Sequence, residues 1–333
     1  MAILYAMAVL DSSHAADCRR RVGSIARELH FDETCQGKIA IVVTEMATNL
    51  VKHARGGEIL ARPLIDDERN GLEILAIDRG PGIGDVGEAM RDGYSTAGSS
   101  GTGMGAVRRM SDQFDIYSTP AGTILMARFW TDGAPPTLPP LFEIEGVAVP
   151  KPGEESCGDD WTCHASGDEL LVMVADGLGH GEMAAVASRQ ARLTFTENIG
   201  ETSDLIMRQM HGMMRSTRGA AAAIARIDAG RGSIGYTGVG NIAGTVLSPE
   251  KVHRMISHNG IVGHEIRKVQ EFTYPWSDES ILVMHSDGLG TQWDLDAYPG
   301  LLSHHLSLVA GVLYRDFTRG RDDTTVVVAR RRR

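Results

Sequence analysis

The chain has 333 residues, 42% of them hydrophobic and 23% charged, and carries a formal charge of -10. That length allows two domains with real cores, and the acidic balance excludes a generic nucleic-acid surface, which needs clustered Lys and Arg. No run approaches the ~20 apolar residues that cross a bilayer, and the four cysteines form no C-x-x-C pair, which excludes a zinc knuckle or a redox motif of that type and points to free thiols in a reducing cytoplasm.

The apolar start at 1–10 is cut off by Asp11 and has no basic leading region, so it reads as an opening β-strand. Helical spacing follows at 14–29 and 33–53, where Ile39, Val42, Val43, Met46, Leu50 and Val51 form one stripe. Extended runs lie at 72–77, 114–118 and 123–129, and a short helix at 104–110. A Gly- and Ser-rich loop at 80–103 is longer than a compact domain tolerates without a purpose. This first part predicts an α/β layer, a sheet with helices on one face. Four prolines within 131–140 exclude a helix or a central strand and mark a stiff linker. Beyond it, strands are expected at 170–175, 220–227, 233–238, 245–247, 280–285 and 324–329, with helices at 182–198, 203–214 and near 301–314. That pattern predicts two packed sheets flanked by helices. The basic runs at 19–21 and 330–333 read as solvated surface and tail. The domains are thus expected at 1–130 and 141–333, joined by the linker 131–140, in an α+β chain.

Three elements of the first part suit a nucleotide. Glu45 and Asn49, four apart on one helix, share a face; a carboxylate and an amide oxygen there can ligate Mg²⁺ or orient an attacking hydroxyl. Asp78 ends a strand and runs into Gly80 and Gly82, where a carboxylate can accept from an adenine amine while glycines let the backbone approach. Gly101, Gly103 and Gly105 open a helix whose free N–H groups favour phosphate. Taken singly, the first two have plain explanations: a pair at that spacing arises by chance, and an Asp initiates an ordinary turn. A dinucleotide fingerprint lacks its upstream strand, and a Walker loop lacks its Ser or Thr.

In this order the elements resemble the N, G1 and G2 boxes of the GHKL ATP-binding fold. The stretches from Thr44 to Ala54 and from Gly103 to Asp112 are similar to the anti-sigma-factor and stressosome switch kinases of the RsbW and RsbT types. The resemblance implies an α/β sandwich over about 5–130, Mg²⁺ on Asn49, adenine on Asp78, a mobile lid over the ATP phosphates, and Glu45 as general base for a Ser or Thr on a STAS-domain protein.

The second part carries carboxylates at turns: Asp159, Asp176-Gly177, Asp287-Gly288 and Asp322-Asp323. Single Asp-Gly pairs mostly mark turns, but two of these terminate strongly apolar strands and a third pair begins the last one. Strands converging at one end of a sandwich would gather the charges, and divalent cations would resolve their repulsion. All-oxygen ligation suits Mn²⁺ or Mg²⁺. His180-x-Glu182 lacks the Cys pair of a zinc deaminase.

This half resembles the metal-dependent PPM phosphatases, in their SpoIIE-like branch and near the stressosome feedback phosphatase of the RsbX type. The resemblance implies an αββα sandwich over about 143–330 and two Mn²⁺ or Mg²⁺ ions on Asp159, Asp176, the Gly177 carbonyl, Asp287 and Asp322, the last being first of the family's final pair. His180 and His264 are placed to touch phosphate, but each is read first as a satisfied structural histidine. Cys157 stands where relatives often carry Gly. Together the halves imply a cytoplasmic phospho-switch protein, with no nucleic-acid or membrane partner. It would remove phosphate from a STAS-type anti-anti-sigma or stressosome phosphoprotein, add it through ATP, and meet an anti-sigma factor or a downstream phosphatase partner. The alternatives are a phosphatase whose ATP domain only senses nucleotide or docks a partner, and a non-catalytic partner-switching binder.

Overall fold

The computed structural model describes residues 4–65, 69–90, 103–133 and 141–332. Contacts divide the chain into two compact units, Ala2–Leu138 with Leu295–Arg315, and Pro139–Asp294 with Asp316–Arg333.

In the first unit the elements run β1 (Tyr5–Val9), α1 (Ser12–Glu28), α2 (Glu33–His53), β2 (Gly57–Ile65), β3 (Asn70–Ile77), α3 (Val86–Ala89), α4 (Gly103–Met110), β4 (Gln113–Thr119) and β5 (Gly122–Trp130). The strands form one antiparallel sheet in the order β1-β2-β3-β5-β4. Asp11 caps α1 by accepting from the amides of Ser13 and His14, and Asp32 caps α2 through Cys35 N, satisfying amides that the first turn leaves open. The α2 stripe Ile39, Val42, Val43, Met46 and Leu50 buries against Ile59, Leu72, Ile74 and Phe129 of the sheet. Strand β2 was not legible because Arg62 and Pro63 break its apolar run. Among the described residues, pairing of β2 with β1 ends at Ala61, two residues before Pro63.

The second unit contains β6 (Phe142–Val149), β7 (Asp159–Ser166), β8 (Glu169–Gly177), α5 (Glu182–Glu197), α6 (Ser203–Met213), β9 (Ala220–Asp228) and β10 (Ser233–Val239). It continues with β11 (Ala243–Leu247), β12 (Val252–Arg254), β13 (Gly260–Ile261), β14 (Glu265–Ile266), β15 (Phe272–Pro275), β16 (Ile281–His285) and β17 (Thr324–Arg331). Two antiparallel five-stranded sheets result, β15-β10-β9-β8-β7 and β12-β11-β16-β17-β6. Between them pack Leu170, Val172 and Val174 of β8 with Leu282, Met284, Val327 and Ala329. The alternate residues of β8, Leu171, Met173 and Ala175, face α5 and α6 through Ala187, Ala191, Phe195, Ile206 and Met210. With both faces covered, β8 reads as a continuous apolar run.

The segment Leu295–Arg315, which groups with the first unit, contains most of α7 (Leu306–Phe317). It covers the face of the first sheet turned away from α1 and α2. A Cβ on Gly311 would lie 3.2 Å from Ile124 Cδ1, so the small residue sets a close approach. Beneath it sits a buried polar cluster. Glu73, 2% exposed, accepts from Arg62 Nη2 (2.8 Å), Arg128 Nε (2.7 Å) and the Ser307 hydroxyl (2.6 Å). The Tyr314 hydroxyl donates to Glu58 at 2.9 Å, and Arg315 donates to the Asp78 carbonyl at 3.4 Å. Among the described residues, no helix is long and apolar enough to cross a membrane.

Candidate functional site

The acidic turns of the second unit meet at one end of its sandwich. Register puts Asp159, at the start of β7, directly opposite Asp176 near the end of β8. Asp287 follows β16, and Asp322 and Asp323 precede β17, the strand paired to β16. Neighbouring carboxylates act on Asp176 and Asp159. Burial first, then Asp159, Asp287, Asp322 and Asp323, push the Asp176 carboxyl up to about 9. Burial, Asp323 and Asp287 push Asp159 up to about 7, against the favourable pull of the Ser286 and Thr325 hydroxyls. Exposure grades across the cluster: Asp159 (5%) and Asp323 (3%) are buried, Asp176 and Asp287 half-buried, Asp322 exposed.

Second-layer contacts hold these groups. Asn241 Nδ2 donates to Asp287 Oδ2 at 2.7 Å. Asp323 Oδ1 accepts from Lys151 N at 2.9 Å, and Asp322 Oδ1 accepts from Asp323 N at 3.0 Å. Gly177 N donates to the Gly158 carbonyl at 3.1 Å, fastening the Asp159 and Asp176 turns together. A Cβ on Gly288 would fall 1.9 Å from the Asp323 carbonyl, so only glycine lets the Asp287 turn approach the last pair. Asn241, Asp323 and the hydroxyls of Ser286 and Thr325 were not picked out as site residues from sequence. The usable signal was Asn241 two residues before β11, at the strand end where the acidic turns gather.

The donor set fits divalent cations. Both oxygens of Asp159 and Oδ2 of Asp323 are buried without a hydrogen-bond partner among the described residues; the facing Ser286 and Thr325 hydroxyls fall short of bonding geometry to Asp159. An unpaired buried carboxylate is costly unless something positive completes it. Among the described residues, no three His, Cys, Asp or Glu side chains stand at metal-binding spacing, and the charges of Asp287, Asp322 and Asp323 repel that of Asp176. His180 and His264 have protein partners beside it: His180 Nδ1 lies 2.6 Å from Glu154 Oε1, and His264 Nε2 lies 2.9 Å from the Arg218 carbonyl.

In the first unit, Glu45 and Asn49 lie one turn apart on α2, both half-buried. A Cβ on Gly103 would stand 2.7 Å from Glu45 Oε2, which places the start of α4 beside that carboxylate. Asp78 directly follows β3, and its Oδ1 accepts from Gly80 N (2.8 Å) and Thr123 N (3.1 Å). Gly80 packs against Ala54 at the end of α2, which draws the Asp78 turn toward the helix of Glu45 and Asn49. Gly82 has φ +73 and abuts the Thr119 carbonyl, while Gly105 is buried within α4. Gly101 and the rest of 91–102, half of the expected loop, lie outside the described residues.

Comparison with known proteins gives each half a relative. Residues 9–129 match the histidine kinase-like ATPase domain. Over 113 residues the chain is 37% identical to the serine/threonine-protein kinase RsbT of Bacillus subtilis (strain 168), a match covering 33% of this chain and 85% of that protein. Over 184 residues it is 26% identical to the phosphoserine phosphatase RsbX of the same organism, covering 54% of this chain and 89% of that one. A solved chain of the bacterial stressosome, described as a modular system adapted to control secondary messenger signaling, superposes with a TM-score of 0.53 at 27% identity, covering 57% of this chain and 99% of its own. A kinase-like ATPase domain is therefore followed by a PPM-type phosphatase domain. Residues 166–332, which include Asp176, Asp287 and Asp322, match the stage II sporulation protein E (SpoIIE) model, and the chain belongs to that family.

Proposed function

We propose that this protein is a phospho-switch enzyme that hydrolyses phosphoserine or phosphothreonine on a STAS-domain regulator, with an ATP-binding half that phosphorylates the same class of target. The observation that carries the reading is the convergence of Asp159, Asp176, Asp287 and Asp322 around buried, unpartnered oxygens. Asp159, Asp176, the Gly177 carbonyl, Asp287 and Asp322 would hold two Mn²⁺ or Mg²⁺ ions. Such ions supply positive charge and Lewis-acid assistance for in-line attack of water on a phosphoryl group. The chain's own part is positional. Asn241 orients Asp287, and Asp323 ties the last turn to the loop at Lys151.

In the ATP-binding half, Asp78 would take the adenine amine, Asn49 the nucleotide's Mg²⁺, and the glycines of the α4 entry the phosphates. Glu45 would accept the proton of the target hydroxyl. The likeness to RsbT and to a stressosome chain supports a STAS-domain partner. The test is transfer of labelled phosphate from ATP to candidate STAS proteins by the Asp176→Asn chain, and its removal by the wild type in Mn²⁺. A partner that neither gains nor loses label sets the reading aside.

A second reading, in which the ATP-binding half senses nucleotide, is favoured by one observation. In sequence α7 lies between Asp287 and Asp322, yet Arg315 near its end donates to the Asp78 carbonyl. Glu45→Ala separates the two readings, because a sensor keeps its effect on hydrolysis without that carboxylate and a kinase loses transfer.

A further inference from the structure

We propose that Arg218 grips the phosphoryl oxygens of the substrate, a role that rests on the phosphatase reading above. Arg218 sits two residues before β9, whose first residues pair with the end of β8: Ala221 lies opposite Asp176 and Ala220 opposite Gly177. Its carbonyl and the backbone of the residues that follow it are fastened. Leu178 N donates to the Gly219 carbonyl at 2.9 Å, His264 Nε2 meets the Arg218 carbonyl at 2.9 Å, and Gly219 N donates to Thr217 Oγ1 at 3.0 Å. Ala220 and Val262 exchange two backbone hydrogen bonds, of 3.0 and 2.8 Å.

The side chain, by contrast, is exposed and unengaged. Its Nη1 lies 3.1 Å from the place a Cβ would occupy on Gly179, so the guanidinium rests on the loop that leaves Asp176. Among the described residues that guanidinium has no hydrogen bond or ion pair. Neighbouring arginines on α5 behave differently: Arg192 pairs with Asp160 at 2.7 Å and Arg189 with Glu182 at 3.9 Å. An arginine anchored by its backbone at the rim of a carboxylate cluster, yet paired with none of them, is a preset donor for an anion that arrives there. A planar fork of N–H donors matches a phosphate monoester dianion. Gly179, with φ +93 and no side chain, leaves the guanidinium its place on the loop. His264, read from sequence as structural, becomes a positioning residue acting through the Arg218 carbonyl.

The test uses the full chain with Mn²⁺, a phosphoserine peptide, p-nitrophenyl phosphate and inorganic phosphate, comparing wild type with Arg218→Ala and Arg218→Lys. Arg218→Ala should raise KM for both substrates, and weaken inorganic phosphate binding by calorimetry, by about 10- to 100-fold. Arg218→Lys, a point charge without the fork, should fall between. The thermal gain from Mn²⁺ should match wild type in both variants, which excludes a merely structural effect. Wild-type KM and phosphate affinity in Arg218→Ala would overturn the proposal, as would a defect confined to the peptide. A wild type that binds phosphate through Arg218 but hydrolyses neither substrate would sink the phosphatase reading and leave this site standing. A wild type that does neither would remove both.

Discussion

Replacing Asp176 with Asn should make the metal-free protein more stable while removing the stabilisation that Mn²⁺ gives. Without cations, the folded chain keeps a carboxyl pushed up to about 9, by burial first and then by four neighbouring aspartates, whereas the unfolded chain ionises it freely near 3.8. At pH 7.5 that difference has an upper limit of ~5 kcal/mol, from 1.36 kcal/mol per pKa unit. Because Asp176 is only partly buried, solvent screening cuts this to about 1–3 kcal/mol. Asn keeps the shape and sheds the charge. With about 2–4 °C per kcal/mol for a domain of this size, the variant should melt roughly 2–12 °C higher in chelator. Thermal unfolding by circular dichroism, in EDTA and in Mn²⁺, reads both halves of the claim. A metal-free Asp176→Asn protein that melts below wild type, or that keeps the full Mn²⁺ gain, would refute the repulsion argument.

The same carboxyls set a pH window. Raised folded values mean that stability is present below the unfolded value and lost as pH climbs, so metal-free wild type should lose melting temperature between about pH 4 and 9, while Asp176→Asn gives a flatter profile. Glu73→Ala removes the carboxylate that Arg62, Arg128 and Ser307 share, and should cost the first unit about 3–5 kcal/mol in urea unfolding; an unchanged midpoint would contradict the buried network. Asp78→Ala should weaken ATP binding by at least about tenfold in calorimetry, the worth of one charge-assisted hydrogen bond. Glu45→Ala should bind ATP like wild type yet transfer no phosphate. Gly288→Val should unfold the second unit or displace the Asp322 turn, seen as loss of Mn²⁺ stabilisation.

Strands buried on both faces and helices with one apolar stripe announced themselves. That is why β8, β9 and β17 and the stripe of α2 were readable from residue types alone. Strands carrying function or charge were not. β7 opens on Asp159 and Asp160 and holds Thr162, Cys163 and His164, so no period-two pattern survives, although its first residue was chosen as a ligand. β6 alternates Phe142 and Ile144 with Glu143 and Glu145, a period-two signal that was present and missed. Helix α7 was expected, but its partner was not: Leu306 to Arg315 are all buried, and a helix apolar on every side does not say which sheet it covers. The acidic site was legible because aspartates at strand ends must converge once the sheet is built. Its supporting contacts, such as Asn241 on Asp287, depend on connections between distant strands that one-dimensional spacing does not encode.

The central claim is that the gathered aspartates of the second unit form a cation-dependent phosphatase centre. The most direct measurement is phosphate release from a phosphoserine STAS protein by the full chain, first stripped with EDTA and then titrated with Mn²⁺. Release that is absent after stripping, returns with Mn²⁺ and is abolished by Asp287→Asn is the predicted result. Hydrolysis indifferent to the metal, or no hydrolysis at any Mn²⁺ concentration by a folded protein, would contradict it.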